Sequence, residues 1–427
     1  MRKLGGVVIP MQINSPVSNK VSEFHEQVRV LVGNPWNDLH SLRPLPPFSV
    51  EVQEFLALVG KKLLQNPVVK EYPDVVTFGF FCRRANLNQI KMSYEGRLCG
   101  RVGRGITFHI APGNVPINFA YSLVAGLLAG NVCVIKASSK DFVQIRLICN
   151  VIKEALVEVD VLAPYVHIVI YDRALQQATE YFSSICNVRI IWGGDRAIAA
   201  VREAAMQPRA FDIPFADRYS LAVFDAKAIL ELQDDSYRMA VLVQDFYNDT
   251  YLYDQNACTS PQLICWLGSE TDIEAAQQLF WQNVYDNIKD RYHLAAVTAV
   301  DKLMAISRTA IAIKGAQVKR HIDNRIVCVH IPKLCRSLRK LRAPGGFFLE
   351  YHVKGLADLG MVLQEVVDES WQTMSCYGLE VRDLRLMLQE SGLHGIDRIT
   401  AVGHTADFAL VWDGNDLIDM LSRVVTW

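Results

Sequence analysis

The fold is indicated most clearly by residues 105–136, which read GITFHIAPGNVPINFAYSLVAGLLAGNVCVIK. Ile106–Ile110 is strand-like and is followed by the turn-forming sequence Pro112-Gly113-Asn114. Residues 115–129 then carry the apolar pattern of a buried helix that ends at a glycine. Because Val132–Lys136 is again strand-like, the stretch predicts a strand, a crossover helix and a second, parallel strand.

The same alternation continues on the C-terminal side of this stretch. It predicts helices over residues 141–156 and 175–182 and after Gly193-Gly194-Asp195, and strands at Val166–Ile170, Val188–Trp192 and residues 219–224. Strands that alternate with helices in this way are typical of a parallel sheet built from right-handed crossovers. With a helical layer that begins near Ser49, the pattern predicts a Rossmann-like cofactor-binding domain over residues 1–235.

A second α/β domain is predicted to begin at Ser236. Its expected elements are a helix that leads towards Cys258, strands at residues 262–267, 326–331 and 347–353, and helices at residues 271–288, 356–367 and 383–389. We assign residues 236–400 to this domain. Residues 401–427 form a C-terminal tail that is expected to pack on the core, with a strand at residues 397–402 leading into it and a last helix at residues 416–425.

Composition limits the classes of partner. The 427 residues suffice for two domains, and 44 Lys+Arg against 45 Asp+Glu give a net charge of -1. No general field therefore attracts nucleic acid or an anionic membrane, and a small-molecule substrate is expected. Residues 119–135 are the most apolar part of the chain, but their polar positions and their helix-then-strand pattern argue against a membrane span.

Cysteine usage and the N-terminus indicate a cytoplasmic protein. The 10 cysteines are scattered, and several lie in apolar runs typical of reduced, buried thiols. Residues 1–10 lack an apolar core long enough for a signal peptide. Cys328, His330 and Cys335 do not match the spacing of a tetrahedral metal site, so no metal is expected.

Cys258 differs from the other cysteines in its position. It lies in the sequence DQNACTSP (residues 254–261), between a helical pattern and an apolar strand. A thiol on a loop between two elements is easier for a substrate to reach than one inside a strand, which favours a nucleophile. A small buried hydrophobe is the alternative interpretation.

Ligand-binding residues are expected in the turns that follow the strands, because ligands of parallel sheets bind outside the carboxyl ends. The amide of Asn114 can donate to an oxyanion there, although asparagine is also common in turns for conformational reasons. Since no G-x-G-x-x-G pattern stands between a strand and a helix, Lys136, Ser138 and Ser139 are the candidates for a ribose or its phosphate. A solvated strand-end lysine is the alternative. The absence of a carboxylate directly after Lys136 favours NADPH over NADH.

Several segments together carry a family resemblance. HIAPGNVP (109–116), GLLAGNVCVIK (126–136), WGG (192–194) and QNACTS (255–260) stand in the order used by the aldehyde dehydrogenase superfamily. The later segments QTMSCYG (372–378), DRITAVG (397–403) and WDG (412–414) are closer to one branch. The chain resembles the LuxC family of long-chain acyl-CoA reductases, the reductase component of bacterial bioluminescence fatty-acid reductase, over roughly residues 75–425.

The resemblance implies a role for each of several residues. Cys258 would be the acylated nucleophile and Asn114 an oxyanion donor. Lys136 would bind the adenine ribose, and Gly193-Gly194 would form the turn beside the cofactor. Glu350 resembles the glutamate that holds the nicotinamide ribose, and a salt-bridged carboxylate is the alternative. The resemblance also implies an oligomerisation arm over residues 91–104 and therefore a homo-oligomer.

One departure from the superfamily bears on the reaction. Aldehyde dehydrogenases that release acid carry a glutamate before the nucleophile that activates water, and the corresponding stretch here is IPFADR (213–218). No glutamate stands in it, so a thioacyl-enzyme should survive long enough to be reduced. Asp217 is left open as a substitute base.

The expected activity is NADPH-dependent reduction of a long-chain fatty acyl-CoA to the fatty aldehyde through a thioacyl-Cys258 intermediate. The donor is acyl-CoA, an acyl carrier or an acylated partner enzyme in a fatty acid reductase complex. Three alternatives are an NAD(P)-dependent aldehyde dehydrogenase that yields free acid, a cysteine thioesterase or acyltransferase, and a scaffold subunit without catalysis.

Overall fold

The computed structural model describes residues 24–426. The N-terminal residues 1–10, whose composition argued against a signal peptide, lie outside them. The chain forms two compact units. The first runs to Phe215 and also contains the chain from Leu417 onwards, and the second comprises Ala216–Asp416.

The first unit contains a six-stranded sheet, and helices connect several of its strands. The strands of the unit are β1 (Arg29–Val32), β2 (Arg101–Gly103), β3 (Ile106–Ile110), β4 (Val132–Lys136), β5 (Val166–Ile170), β6 (Val188–Trp192) and β7 (Phe211–Phe215), of which β2 lies outside the six-stranded sheet. The helices of the unit are α1 (Val50–Gln65), α2 (Pro73–Phe81), α3 (Arg84–Ser93), α4 (Asn118–Leu128), α5 (Val143–Glu158), α6 (Gln176–Ile185) and α7 (Asp195–Arg202).

The order of the sheet is β1-β5-β4-β3-β6-β7, and all pairs are parallel except β1 with β5. The chain therefore proceeds from β3 to one side through β4 and β5, and then continues on the other side of β3 with β6 and β7. The strand order reverses between β3 and β6. Ligands of open parallel sheets bind at such a reversal, outside the carboxyl ends of the strands.

A buried polar network lies beneath this reversal. His109 on β3 is 0% exposed, and its ring nitrogens are 2.7 Å from Ser122 Oγ and 2.8 Å from Thr107 Oγ1. Trp192 at the end of β6 donates its indole N–H to the same Ser122 hydroxyl at 3.0 Å. Burial lowers the pKa of His109 to about 3, so the ring stays neutral and satisfied. The network joins α4 to both strands at the reversal.

The second unit contains the strands β8 (Tyr219–Asp225), β9 (Pro261–Leu267), β10 (Gln317–Ile322), β11 (Ile326–His330), β12 (Phe347–Val353), β13 (Trp371–Tyr377), β14 (Arg398–Ala401), β15 (Val411–Trp412) and β16 (Asn415–Asp416). Seven of them form a sheet in the order β10-β11-β12-β9-β8-β13-β14, in which all neighbours are parallel except β10 and β11. β15 and β16 form a separate hairpin. The helices of this unit are α8 (Ala226–Leu230), α9 (Ser236–Asp249), α10 (Glu270–Ile288), α11 (Ala296–Ala312), α12 (Leu356–Val366) and α13 (Val381–Glu390).

The chain ends with α14 (Leu417–Leu421) and β17 (Ser422–Val424), which belong to the first unit. β17 pairs antiparallel with β2, and Asp419 forms ion pairs with Arg97 and Arg101. The tail thus packs on residues 91–104, the proposed oligomerisation arm. The single helix predicted over residues 416–425 was wrong, because its second half pairs as a strand.

The structure also corrects the domain boundary. The predicted boundary between residues 235 and 236 lies after β8, but the two units divide at Phe215. β8 pairs with β9 and β13 of the second sheet and not with the first sheet. β8 is buried on both faces, so its sequence is a continuous apolar run. A central strand of either sheet would have the same pattern, and the sequence therefore does not show which sheet it joins. Of the predicted tail over residues 401–427, residues 401–416 likewise belong to the second unit and only the residues after them to the first.

No helix within residues 24–426 is both long and apolar enough to cross a membrane.

Candidate active site

The candidate cofactor residues lie at one edge of the first sheet. Gly113-Asn114 follows β3, Lys136 ends β4 and is followed by Ser138 and Ser139, and Gly193-Gly194 follows β6. β3 pairs in parallel with both β4 and β6, so the carboxyl ends of the three strands are adjacent. The sequence predicted these turns as ligand sites, and the structure brings them together at the reversal of strand order. We call this group the cofactor edge.

Three glycines of the cofactor edge leave room that the chain itself does not use. A Cβ added to Gly113 or Gly194 would meet no heavy atom within 4 Å, and one on Gly193 would meet only Ala197 Cβ at 3.4 Å. None of the three has a positive φ. The three glycines therefore leave space beside the backbone, and Gly193 and Gly194 do so at the N-terminus of α7. Glycine at such a position permits close approach of a ligand to the backbone.

Lys136 is largely withdrawn from solvent at the end of β4. Burial lowers the pKa of its ammonium, while Asp172 opposes this effect, and Nζ lies 5.1 Å from the centre of the Tyr171 ring. The two hydroxyls nearby are already engaged. Ser139 donates to Tyr171 O at 2.9 Å, and Ser138 donates to Gly113 O at 3.4 Å. Lys136 is therefore the member of this group with donors left for an anion.

Asn114 itself is exposed on the loop between β3 and α4. The helix begins at Asn118, three residues later than the pattern predicted, because Pro116 lies in the turn that precedes it. This lengthens the loop and presents the Asn114 amide to solvent at the cofactor edge. Its role as an oxyanion donor stays a prediction.

Glu350 has a different environment from the one that the resemblance implied. It lies on β12 at 0% exposure, and its Oε1 accepts from the indole N–H groups of Trp266 at 2.9 Å and Trp281 at 2.8 Å. Its Oε2 is 3.5 Å from Arg320. Burial raises the pKa of the carboxyl, and Arg320 and the indoles counter this. The alternative interpretation, a salt-bridged carboxylate, describes this residue, and a ribose cannot reach it in this structure.

The loop that carries Cys258 is held by the side chain of Gln255. Gln255 is 2% exposed, and its Nε2 donates to Pro261 O at 2.9 Å and Phe347 O at 3.0 Å. Its Oε1 accepts from the N–H groups of Gly346 at 2.9 Å and Phe347 at 3.1 Å. The amide thus makes four hydrogen bonds, one to the far end of its own loop and three to the start of β12. Cys258 is presented on a preformed loop.

Cys258 is also fixed through its main chain. Ser220 at the start of β8 donates its hydroxyl to Cys258 O at 2.7 Å and accepts from Thr373 N–H on β13 at 3.2 Å. β9, β8 and β13 are parallel neighbours, so the residues that precede or begin them are gathered at the amino edge of the second sheet. We call Cys258 and the side chains around it at this edge the nucleophile edge.

The surroundings of the Cys258 sulfur favour the protonated thiol. Burial raises the pKa of the half-buried Cys258 to about 11, the negative charge of Asp413 adds to the rise, hydrogen bonding from the Gln372 side chain opposes it, and Asp217 adds a smaller increase. These surroundings disfavour a thiolate at rest. The thiol must lose its proton when it attacks.

Asp217 does not stand free near the thiol. Its carboxylate forms an ion pair with Arg342, and Arg339 donates to its main-chain oxygen at 3.1 Å. The carboxylate and the main chain of the substitute base left open by the sequence are thus both engaged by arginines.

Four residues at the nucleophile edge were missed by the sequence-based prediction: Arg218, Gln372, Asp397 and Asp413. Gln372 donates its amide N–H to Asp413. Arg218 forms an ion pair with Asp397 and lies 3.8 Å from Asp413 Oδ2. The signal was present, because the segments QTMSCYG, DRITAVG and WDG were noted for the resemblance. Only the tertiary structure shows that they converge on Cys258.

Comparison with known families gives a match over more than half of the chain. The family model described as "Acyl-CoA reductase (LuxC)" matches residues 80–324. Long-chain acyl-protein thioester reductase 2 of Photobacterium leiognathi is 30% identical over 192 residues, which are 43% of this chain and 37% of the relative. The long-chain acyl-protein thioester reductase of Photorhabdus luminescens is 25% identical over 339 residues, 76% of this chain and 63% of the relative. In both relatives the aligned part is less than two thirds of their own length.

Solved structures with a similar fold are aldehyde dehydrogenases. A salicylaldehyde dehydrogenase from Pseudomonas putida G7 has a TM-score of 0.63 at 13% identity and covers 96% of this chain and 90% of its own. An aldehyde dehydrogenase from Physcomitrella patens has a TM-score of 0.61 at 12% identity, with coverage of 88% and 85%. At such identity the likeness concerns the fold alone, and it confirms the predicted α/β, aldehyde-dehydrogenase-like class.

Proposed function

Because the chain belongs to the LuxC family of acyl-CoA reductases, we propose that it reduces a long-chain acyl thioester to the corresponding aldehyde through an acyl group carried on Cys258. The observation that carries this proposal is the presentation of Cys258. It is a half-buried thiol on a loop that four hydrogen bonds of Gln255 hold in place. A nucleophile fixed in this way loses little entropy when it attacks.

In the first half of the reaction, the Cys258 sulfur attacks the carbonyl carbon of the thioester and the donor thiol leaves. The charge that develops on the carbonyl oxygen needs donors, and we assign this role to the Asn114 amide and the Cys258 backbone N–H. Such donors typically contribute about 3 kcal/mol each to transition-state stabilisation.

The cofactor edge fits a nicotinamide dinucleotide. Gly193-Gly194 and the N-terminus of α7 would take the diphosphate, and Lys136 would take the adenine ribose or its phosphate. Such a cofactor supplies the hydride that reduces the acyl carbon. NADPH is the proposed form, since Lys136 offers a cation and no carboxylate follows directly after it in the sequence.

The acyl group must not be lost to water before it is reduced. IPFADR (213–218) contains no glutamate, and its Asp217 is paired with Arg342. A carboxylate neutralised by a guanidinium activates water poorly. The arrangement therefore favours reduction over the runner-up reaction, in which an aldehyde dehydrogenase releases free acid.

The acyl donor is proposed from the chemistry of the relatives. Two of the similar proteins are named long-chain acyl-protein thioester reductases, and the family model names acyl-CoA. Both donors present the same thioester carbonyl to a thiol. We propose that this chain accepts a long-chain acyl group from CoA or from an acylated partner protein.

Mass spectrometry after mixing with acyl-CoA in the absence of nucleotide tests the first half. The expected result is an acyl adduct on the peptide that contains Cys258, and an adduct absent from that peptide would overturn the proposal. Oxidation of NADPH that depends on the acyl thioester tests the second half, with NADH in parallel. Formation of acid from aldehyde and NADP+ without CoA would instead establish the aldehyde dehydrogenase reaction.

A further inference from the structure

The resting Cys258 thiol needs a group that takes its proton during acylation, and the structure offers two carboxylates for this task. They are Asp217 and Asp413, the two acidic residues whose charges act on the thiol. Asp217 is bound by Arg342, and its side chain is 38% exposed. Asp413 is 4% exposed and lies 3.8 Å from Arg218, which is engaged more closely by Asp397.

Asp413 reaches the nucleophile edge in an unusual way. Asp413 and Gly414 connect β15 to β16 as a two-residue hairpin loop, and both have positive φ, 50° and 71°. The tip of such a hairpin normally points into solvent, yet this one delivers a buried carboxylate. Asp-Gly is a favoured pair for such a two-residue turn, so the loop holds the Asp413 carboxylate in a defined position.

Gln372 connects the carboxylate to the thiol. Its side-chain amide donates to Asp413. The backbone N–H of its neighbour Thr373 donates to Ser220, whose hydroxyl in turn donates to Cys258 O. The Gln372 Oε1, buried on a residue that is 2% exposed, has no hydrogen-bond partner within residues 24–426. Gln372 therefore ties the Asp413 carboxylate to the strand end that also holds Cys258, and it keeps an acceptor for a further donor, such as a bridging water.

We propose that Asp413 is the proton acceptor for the Cys258 thiol in the acylation step, with Gln372 holding the pair together. This proposal rests on the proposed function. As the bond between Sγ and the acyl carbon forms, the thiol proton passes to the Asp413 carboxylate, directly or through one water. When the bond between the acyl carbon and the donor sulfur breaks, Asp413 returns that proton to the leaving thiolate.

The electrostatics of Asp413 agree with this role. Burial raises the pKa of Asp413, and Arg218 and Gln372 only partly oppose the rise. A base whose pKa is raised towards the working pH gains a proton more readily than one held by a guanidinium. The same burial prevents a free thiolate and leaves the pair as carboxylate and thiol until substrate arrives.

The test compares D413N with the matched control D323N. Asn-Gly is the preferred pair for this hairpin loop, so D413N keeps the turn while it removes the base. D323N makes the same substitution at another left-handed aspartate of the second unit, in the turn between β10 and β11, whose exposed carboxylate pairs with Arg325. Acyl adduct formation on Cys258 is timed by mass spectrometry across pH with acyl-CoA and no nucleotide.

We expect D413N to slow acylation at neutral pH by roughly a hundredfold or more, the usual contribution of general base catalysis. We also expect its rate to keep rising with pH as the thiol itself ionises, whereas wild type and D323N level off once Asp413 is ionised. D413N with the wild-type pH profile would overturn the proposal. The same loss in D217N and not in D413N would transfer the role to Asp217 and overturn it as well.

Alkylation by iodoacetamide separates this proposal from the proposed function, because it needs no acyl substrate. Removal of the Asp413 charge favours the thiolate, so the peptide of Cys258 should be alkylated at least as fast in D413N as in wild type. Exposed Cys99 in the same digest corrects for reagent strength. Slower alkylation in D413N would show a merely structural role. A wild type that never forms the adduct would overturn the proposed function itself, whatever the alkylation shows.

Discussion

The two sheets carry their candidate functional residues at opposite ends of their strands. In the first sheet, Lys136, Gly194 and Asn114 follow the carboxyl ends of β4, β6 and β3. In the second, Cys258 precedes β9, and Arg218 and Asp397 precede β8 and β14. The carboxyl-end rule for parallel sheets therefore finds the cofactor edge and misses the nucleophile edge. The first edge offers space and backbone donors, whereas the second offers a network of side chains.

The sharpest test of the nucleophile edge is the loss of its thiol. C258A should abolish both acyl adduct formation and thioester-dependent NADPH oxidation, because the bond-forming atom is gone. C335A is the matched control, since Cys335 is also half-buried and also belongs to the second unit. An adduct of the same yield in C258A, found on another cysteine, would contradict the assignment.

Asn114 tests whether the first unit contributes to the chemistry as well as to cofactor binding. N114A should slow acylation about a hundredfold, because one oxyanion donor is removed. Its melting temperature in the presence and absence of NADPH should stay that of the wild type, since the side chain is exposed. Undiminished acylation in N114A would confine the chemistry to the nucleophile edge.

Gly194 tests the cofactor edge alone. G194A should weaken NADPH binding about tenfold, or about 1.4 kcal/mol, because the methyl group occupies space that the chain leaves for the ligand. Calorimetry measures the Kd, and acylation without nucleotide should be unchanged. G355A is the control, as a Cβ on Gly355 of the second unit also meets no atom within 4 Å. Equal Kd values for both variants would remove Gly194 from the site.

The smallest expected effect concerns the pH stability of the first unit. The pKa of buried His109 is lowered to about 3, whereas an unfolded histidine takes up a proton near pH 6.5. The unfolded chain therefore binds more protons than the folded chain below about pH 6.5. As the pH is lowered below that value, the free energy of unfolding should decrease by up to about 1.4 kcal/mol per pH unit.

Urea unfolding between pH 7 and pH 4 measures this slope. H109Q should show a smaller slope than wild type, although its absolute stability is lower because the hydrogen bonds to Ser122 and Thr107 change. H40Q at exposed His40 should keep the wild-type slope. Identical slopes in H109Q and wild type would show that His109 is not the group that titrates.

The sequence predicts the four central strands of the first sheet well because they are short apolar runs bounded by turns. β3, β4, β5 and β6 have the predicted bounds. It does not predict which sheet β8 joins, since a strand buried on both faces looks the same in either. It also misses α11, whose pattern is blurred by exposed Val297, Leu303 and Ile311.

The candidate site divides in the same way. Cys258 and the cofactor edge can be predicted because each lies on a loop directly beside a recognisable strand or helix. Gln372 and Arg218 are far from Cys258 in the sequence, and the pairing of β8 with β9 and β13 brings them to the same edge. Asp413 joins this edge through its contacts with Gln372 and Arg218. The resemblance placed Glu350 in the cofactor site. The sequence does not show that Trp266 of β9 and Trp281 of α10 donate to its carboxylate, because both are distant from it along the chain.

The four hydrogen bonds of the Gln255 side chain have a consequence for protein engineering. Its amide spans from its own position to Pro261 and to Phe347 at the start of β12, so the number of residues between 255 and 261 is fixed by the reach of one side chain. Exposed loop tips usually accept insertions, tags and new chain termini. The loop over residues 255–261 should not accept insertions, because they would separate Gln255 from its partners. A design that transfers this loop to another protein must also transfer the start of β12.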